Sequence, residues 1–273
     1  MKREPLFNVP AIVLAIVAAL VAVHGWREYF VSDDFDAHLL AWFAFAPGRL
    51  TYLFDPDGVA AVLSALGATG DADDFNNARF FLGDGSPEWW TPLTYSFLHA
   101  NWAHCGVNSI WLVAFGSPVA KRIGAARFLA LFAAAAIAGA ALHWLFHRFD
   151  FAPVIGASAA VSGAMAAACR FIFQPGGMVG FGDPAAAHPP LVSLPELARD
   201  RRAVLFLIFW FGGNLVFGLL SQPLGITPGP VAWEAHVGGF LAGFLLFPLL
   251  DPPAPPEVAT TPAAETGPDQ PAV

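Results

Sequence analysis

Charge is scarce in this chain. Lys, Arg, Asp and Glu together make up 12% of its 273 residues, and the few basic ones form no dense cluster, which leaves no electrostatic footprint for a nucleic-acid partner. Acids outnumber bases for a net charge of -8, but eleven of them lie between Glu28 and Glu88. The imbalance is therefore one solvated segment and not a field over the whole molecule. Cysteine is nearly absent: Cys105 and Cys169 fall near opposite ends of their expected spans, which argues against a disulfide and leaves the redox compartment undetermined. No His-Glu-x-x-His pair occurs, so a metalloprotease helix lacks its ligands, and a metal reading of His99, His104 and His236 competes only weakly.

Apolar residues dominate. At 56% hydrophobic and a mean hydropathy of +0.58 the chain is too apolar for an ordinary soluble domain and falls in the membrane class. Six segments approach the roughly 20 residues that a helix needs to cross hydrocarbon. They are residues 9–23, 102–119, 128–146, 154–173, 203–220 and 231–250. The first, with Lys2 and Arg3 before it, also fits a signal peptide, but Trp26 and Tyr29 can anchor its far end and further spans follow, which favours a retained span. Residues 31–91 form a long polar loop whose apolar pieces, Leu39 to Phe45 and Leu50 to Phe54, are too short to cross and suit interfacial or rim helices. Gln174 to Arg202 reads as a loop, Pro223 to Pro230 as a turn, and 251–273, rich in Pro, Ala and Thr, as a disordered tail.

Basic residues orient the bundle. With both termini cytoplasmic, nine of them (Lys2, Arg3, Lys121, Arg122, Arg127, Arg170, Arg199, Arg201, Arg202) lie inside and four (Arg27, Arg49, Arg79, Arg148) outside, which puts the long loop on the outer face.

Spans two, four and six then run in one direction, and each carries costly polar groups near its beginning. Taking the helix starts as Asn101, Pro153 and Pro230, His104, Asn108, Ser158 and His236 share a depth of roughly 5 to 11 Å. His104 and Asn108, at i and i+4, project from one face. Gly156, Ala160 and Ala164 form a small-residue ridge on span four, and Gly239 and Gly243 form one on span six, so the two helices can approach closely. That approach would bring Ser158 within reach of His236, the ingredients of an activated nucleophile. The Ser158 N–H near a helix start, with His104 and Asn108, would supply donors for the oxygen that becomes negative. Taken singly, each residue has a plainer reading: Ser158 as a helix-packing serine, His236 as a packed or interfacial histidine, His104 as interfacial like His99, Asn108 as an interhelical hydrogen bond.

At these residues the sequence resembles the rhomboid family of intramembrane serine proteases. The segment from Phe97 to His104 with Asn108 resembles its second-span signature, Gly156-Ala157-Ser158 its nucleophile motif, and Ala235-His236-Val237-Gly238-Gly239 its sixth-span motif, over about Trp89 to Leu250. The resemblance implies an all-α polytopic membrane protein, a rhomboid-like bundle of six transmembrane helices (1–250) in a cell inner membrane. It implies a Ser158–His236 dyad, an oxyanion site of His104, Asn108 and backbone N–H, no cofactor, and cleavage of transmembrane segments of other proteins near the outer face. In the family the fifth helix is associated with substrate admission; Gly212 and Gly213 fit either a loose gate or a packing notch. Three positions depart from the family pattern: Ala159 replaces the usual Gly, Ser162 the frequent aromatic residue beneath the histidine, and Thr91 the Arg after Trp90. Two other classes compete: a catalytically silent relative that binds membrane clients, which needs neither Ser158 nor His236, and a solute channel, which would continue its polar lining toward the inner side. Oligomeric state is not legible.

Overall fold

The computed structural model describes residues 9–69, 72–174, 189–220 and 231–253. The first helix, α1 (Ala11–Phe30), runs past the expected end: His24 and Arg27 are buried inside the bundle while Trp26 and Tyr29 are exposed. The loop that follows is more structured than expected and holds four helices, α2 (Asp33–Phe43), α3 (Pro47–Phe54), α4 (Pro56–Thr69) and α5 (Ala72–Leu82). Their starts follow local chemistry. Ser32 caps α2, whose first turn carries Asp33, Asp34 and Asp36, and Asp55 accepts from the Gly58 N–H at the start of α4.

After the short turn α6 (Thr91–Thr94), the second span is one helical run, α7 (Trp102–Trp111) and α8 (Ser117–Ile123), joined by a wide π turn over Leu112–Gly116. Pro118 explains the widening. It lacks an N–H and its ring crowds the carbonyl four residues back, so the helix opens by one residue there. The third span is α9 (Ala125–Phe146).

The fourth span differs from the expectation. Its helix, α10 (Ser158–Cys169), begins at Ser158 itself and is only 12 residues long. Residues 151–157 lead into it as non-helical chain: Phe45 and Val154 exchange backbone hydrogen bonds in an antiparallel bridge, and Gly156 adopts φ +120°, which no helix can pass through. Extended chain advances about 3.3 Å per residue against 1.5 Å in a helix, so the serine gains depth through loop and not through helix. The shortness of α10 is tolerated because every residue from Ala159 to Cys169 is buried by protein and none faces lipid.

Between residues 174 and 202, expected as loop, the helix α11 (Leu194–Arg199) stands on a capping box in which the Ser193 N–H and hydroxyl donate to Glu196, at 2.8 and 2.6 Å. The fifth and sixth spans are α12 (Arg201–Leu220) and α13 (Trp233–Leu250). The expected turn at 223–230 and all of the expected tail (251–273) beyond residue 253 lie outside the described residues, and Asp251 at the start of that tail is held by Arg122. Among the described residues four helices, α1, α9, α12 and α13, are long and apolar enough to cross a membrane. With the α7–α8 run and the enclosed α10 they form an all-α polytopic membrane bundle.

The core sits around α10, which packs against α9 and α13. The small-residue ridge exists, but in another phase than expected. Gly156 lies before the helix, and α13 meets α10 at the backbone of Ala159 and Gly163: a Cβ on Gly239 would fall 2.0 Å from the Ala159 carbonyl oxygen, and one on Gly243 2.1 Å from that of Gly163. Backbones that meet this closely gain dispersion and weak Cα–H···O contacts instead of bulky side-chain packing.

Arginines segregate to the two ends. At the loop end, Arg27 makes a bidentate pair with Asp36 and donates to the His99 carbonyl, and Arg49 donates to the Ala41 carbonyl and to Glu88. Burial pushes the Glu88 carboxyl above its usual range, and the Arg49 charge works against that rise. At the opposite end Arg122 forms a bidentate pair with Asp251 at 2.7 Å while lying 4.8 Å over the Phe171 ring, and Arg170 donates to the Val192 carbonyl.

Candidate active site

Ser158 is the first residue of α10, so its N–H is among those with no acceptor inside the helix, and its hydroxyl projects at the helix's positive end. Its Oγ lies 2.8 Å from Nε2 of His236, carried on the first turn of α13. The close approach at Gly239, one turn beyond His236, brings these two side chains together.

The other side of the imidazole meets a residue that sequence reasoning passed over. His236 Nδ1 is hydrogen-bonded to Oδ1 of Asn214, on α12. The Asn214 Nδ2 donates to the Trp210 carbonyl at 2.8 Å, which sets the amide so that its oxygen faces the ring. An amide oxygen only accepts, so Nδ1 must carry the proton and Nε2 is left as an acceptor for the Ser158 hydroxyl. Asn214 thereby does what Ser162 cannot. Ser162 is buried and turned onto its own helix, donating to the Ser158 carbonyl at 2.7 Å. One signal pointed to Asn214: it is a lone amide within an apolar span, where such a group is costly without a partner.

His104 lies across Gly156. A Cβ there would fall 2.7 Å from its Cε1 and 3.8 Å from the Ser158 Oγ, so only glycine lets the ring sit beside the serine. His99, expected at the interface, is buried instead. Its Nε2 accepts the Ala157 N–H at 3.4 Å, its ring meets His104 edge to face at 5.0 Å, and its carbonyl accepts from Arg27. Asn108 is buried one turn along from His104 and donates one amide hydrogen to the His104 carbonyl at 3.0 Å, leaving a second hydrogen. Its first interaction is thus within its own helix. His99, His104 and His236 do not gather as a metal-ligand set among the described residues.

The remaining departures have structural counterparts. The Ala159 methyl points away from Ser158 into a notch made by Gly139 of α9, where a Cβ would fall 2.5 Å from it. It therefore crowds the bundle and not a bound peptide. Thr91 caps its own turn by donating to the Glu88 carbonyl at 2.9 Å, and the buried arginine of the loop is Arg49, which reaches the same Glu88 through its carboxylate. Gly212 and Gly213 meet nothing within 4 Å, so they make no packing notch.

Comparison with known proteins places most of the chain in one family. A family model described as the rhomboid domain matches residues 86–252. The rhomboid protease GluP of Bacillus subtilis (strain 168) is 36% identical over 157 residues, 58% of this chain and 25% of its own length. The putative rhomboid protease YdcA of the same bacterium is 34% identical over 82 residues, 30% of this chain and 41% of its length. RHOMBOID-like protein 1 of Arabidopsis thaliana is 28% identical over 240 residues, 87% of this chain and 51% of its own. The chain thus spans between a quarter and about half the length of these relatives. The matched domain takes in α7 through α13, the helices that bring Ser158, Asn214 and His236 together, and on that match the chain belongs to the rhomboid family.

Proposed function

We propose that this protein is an intramembrane serine endopeptidase that cleaves transmembrane segments of other membrane proteins through an acyl-enzyme on Ser158. The observation that carries the reading is the Ser158–His236 hydrogen bond, with the imidazole tautomer set by Asn214. Ser158 Oγ attacks the peptide carbonyl while His236 Nε2 takes its proton. The imidazolium keeps its Nδ1–H on the neutral Asn214 oxygen, a weaker stabiliser than a carboxylate but one that brings no charge into the bundle. The carbonyl oxygen becomes negative in the field of the α10 N-terminus, with the Ser158 N–H, the second Asn108 hydrogen and His104 as donors. Collapse breaks the C–N bond, His236 returns the proton to the leaving amine, and water then hydrolyses the ester by the same route.

In this reading residues 1–250 are one membrane unit in a cell inner membrane with residues 251–273 as a tail. Both termini are cytoplasmic, and the loop end carrying the site is outside, as the nine-to-four distribution of basic residues supports. A serine-directed phosphonate tests the reading. Wild-type protein in detergent forms an adduct that Ser158→Ala does not. No adduct on folded wild type, or equal labelling of the variant, would favour the silent client-binding reading instead.

Two further outcomes follow from the geometry. Asn108→Ala lowers turnover of a reporter span by about 10²- to 10³-fold, as loss of an oxyanion donor does. Asn214→Ala removes a hydrogen bond that orients the ring without touching substrate. Phosphonate labelling should slow by roughly 10- to 100-fold, with KM for a reporter span little changed. Gly212→Ala, where a methyl meets open space on the same helix, leaves both readouts as in wild type.

A further inference from the structure

A second cluster of chemically capable groups lies where α9 ends and α13 begins. His143, on the last turn of α9, and His147, the residue that follows the helix, stand one turn apart with their rings stacked at 4.3 Å. Glu234 on the first turn of α13 faces both: one carboxylate oxygen is 3.2 Å from His147 Nε2 and the other 3.5 Å from His143 Nδ1. The three ligand atoms all lie within 4.8 Å of one another. Glu234 and His236 are two apart on a helix and so point to different sides, and the cluster shares no residue with the serine site.

Its economy is odd for mere packing. His143 is 6% exposed and Glu234 7%, and the buried His143 Nδ1 meets the Glu234 carboxylate only at 3.5 Å, without the geometry of a good hydrogen bond. A buried nitrogen so poorly paired is costly. Two neutral imidazoles and a carboxylate are the ligand types that a borderline divalent cation prefers. Metal–ligand bonds of about 2.0–2.2 Å in a tetrahedron place ligand atoms about 3.4 Å apart, close to the two imidazole–carboxylate separations seen here, each made to a different oxygen of Glu234, so a small turn of the carboxylate presents one oxygen to a shared ion. His147 is half-exposed and can swing to close the remaining gap, and water can fill the fourth position.

We propose that His143, His147 and Glu234 bind a divalent transition-metal ion of the Zn²⁺ class, clipping the end of α9 to the start of α13. Tag-free full-length protein in detergent, stripped with chelator, is titrated with Co²⁺ by visible absorption and with Zn²⁺ by calorimetry, and its unfolding temperature is followed. Wild type is expected to take about one ion per chain, to show the d–d bands of a low-coordinate site, and to unfold several degrees higher with excess Zn²⁺. His147→Ala and Glu234→Gln each weaken binding at least ~10-fold, while Ser158→Ala binds as wild type does. Absence of saturable binding to wild type, or undiminished binding in both variants, would overturn the proposal and leave a hydrogen-bonded His–Glu contact.

Discussion

Replacing Ser158 by alanine is expected to lower cleavage of a reporter transmembrane segment by at least ~10⁴-fold, and replacing His236 by alanine to reach the same floor. In the proposed mechanism the two residues act on one proton. Without the hydroxyl the ring has nothing to activate, and without the ring the hydroxyl stays a weak nucleophile. The double variant should therefore be no slower than either single one, because groups that work as a unit fail as a unit. Turnover of the reporter in proteoliposomes measures all three. Both side chains meet in a preformed hydrogen bond at the start of two helices whose contact lies farther along, so each variant should remain folded. Additive losses in the double variant would mean that the two do not share a step.

The largest effect on stability is expected at Gly239 and Gly243. A side chain at either position meets a backbone carbonyl at 2.0 or 2.1 Å, and unlike the end of a flexible side chain that carbonyl belongs to α10 and cannot step aside. Gly239→Val or Gly243→Val should cost more than about 3 kcal/mol, at or beyond the top of the usual overpacking range, and largely remove folded protein. Gly106→Ala, on the second span where a methyl meets nothing within 4 Å, should be neutral or stabilise by up to about 1 kcal/mol. Thermal unfolding in detergent separates them. The milder Gly239→Ala is informative in another way. The carbonyl that it pushes belongs to Ala159, next to the serine, so activity should fall further than stability does.

Polar residues in apolar spans were the legible part of this site. Ser158, His236, His104 and Asn108 stand out because nothing about crossing lipid requires them, and the structure joins Ser158 to His236 by a hydrogen bond and sets His104 against Gly156 beside them. Asn214 was not found because it has no companion at helical spacing on its own span; its partner lies on another helix, 22 residues on. The start of α10 was misread because Pro153 is a fair helix opener, whereas the pairing of Val154 with Phe45 depends on a loop more than a hundred residues earlier. The phase of the small-residue ridge was not readable in a helix where nearly every residue is small, since each face looks equally able to make contact. The Ala159 methyl is harmless only because Gly139 lies opposite on another span, a compensation visible in three dimensions alone. The outer loop's helices were longer than their apolar pieces suggested because their ends are set by capping side chains and polar turns.

One helix carries a consequence for timing. Among the described residues of α12 only Ala203 and Trp210 are buried, and Phe209 is 85% exposed, yet this loosely held rod supplies the amide that steadies the imidazole. On the proposed reading, a substrate admitted past α12 by swinging it aside would free the ring to rotate, and the hydroxyl would lose its proton acceptor for as long as the door stood ajar. The scissors would be blunt while open and sharp only once shut, which protects from idle cutting anything that merely brushes past the doorway.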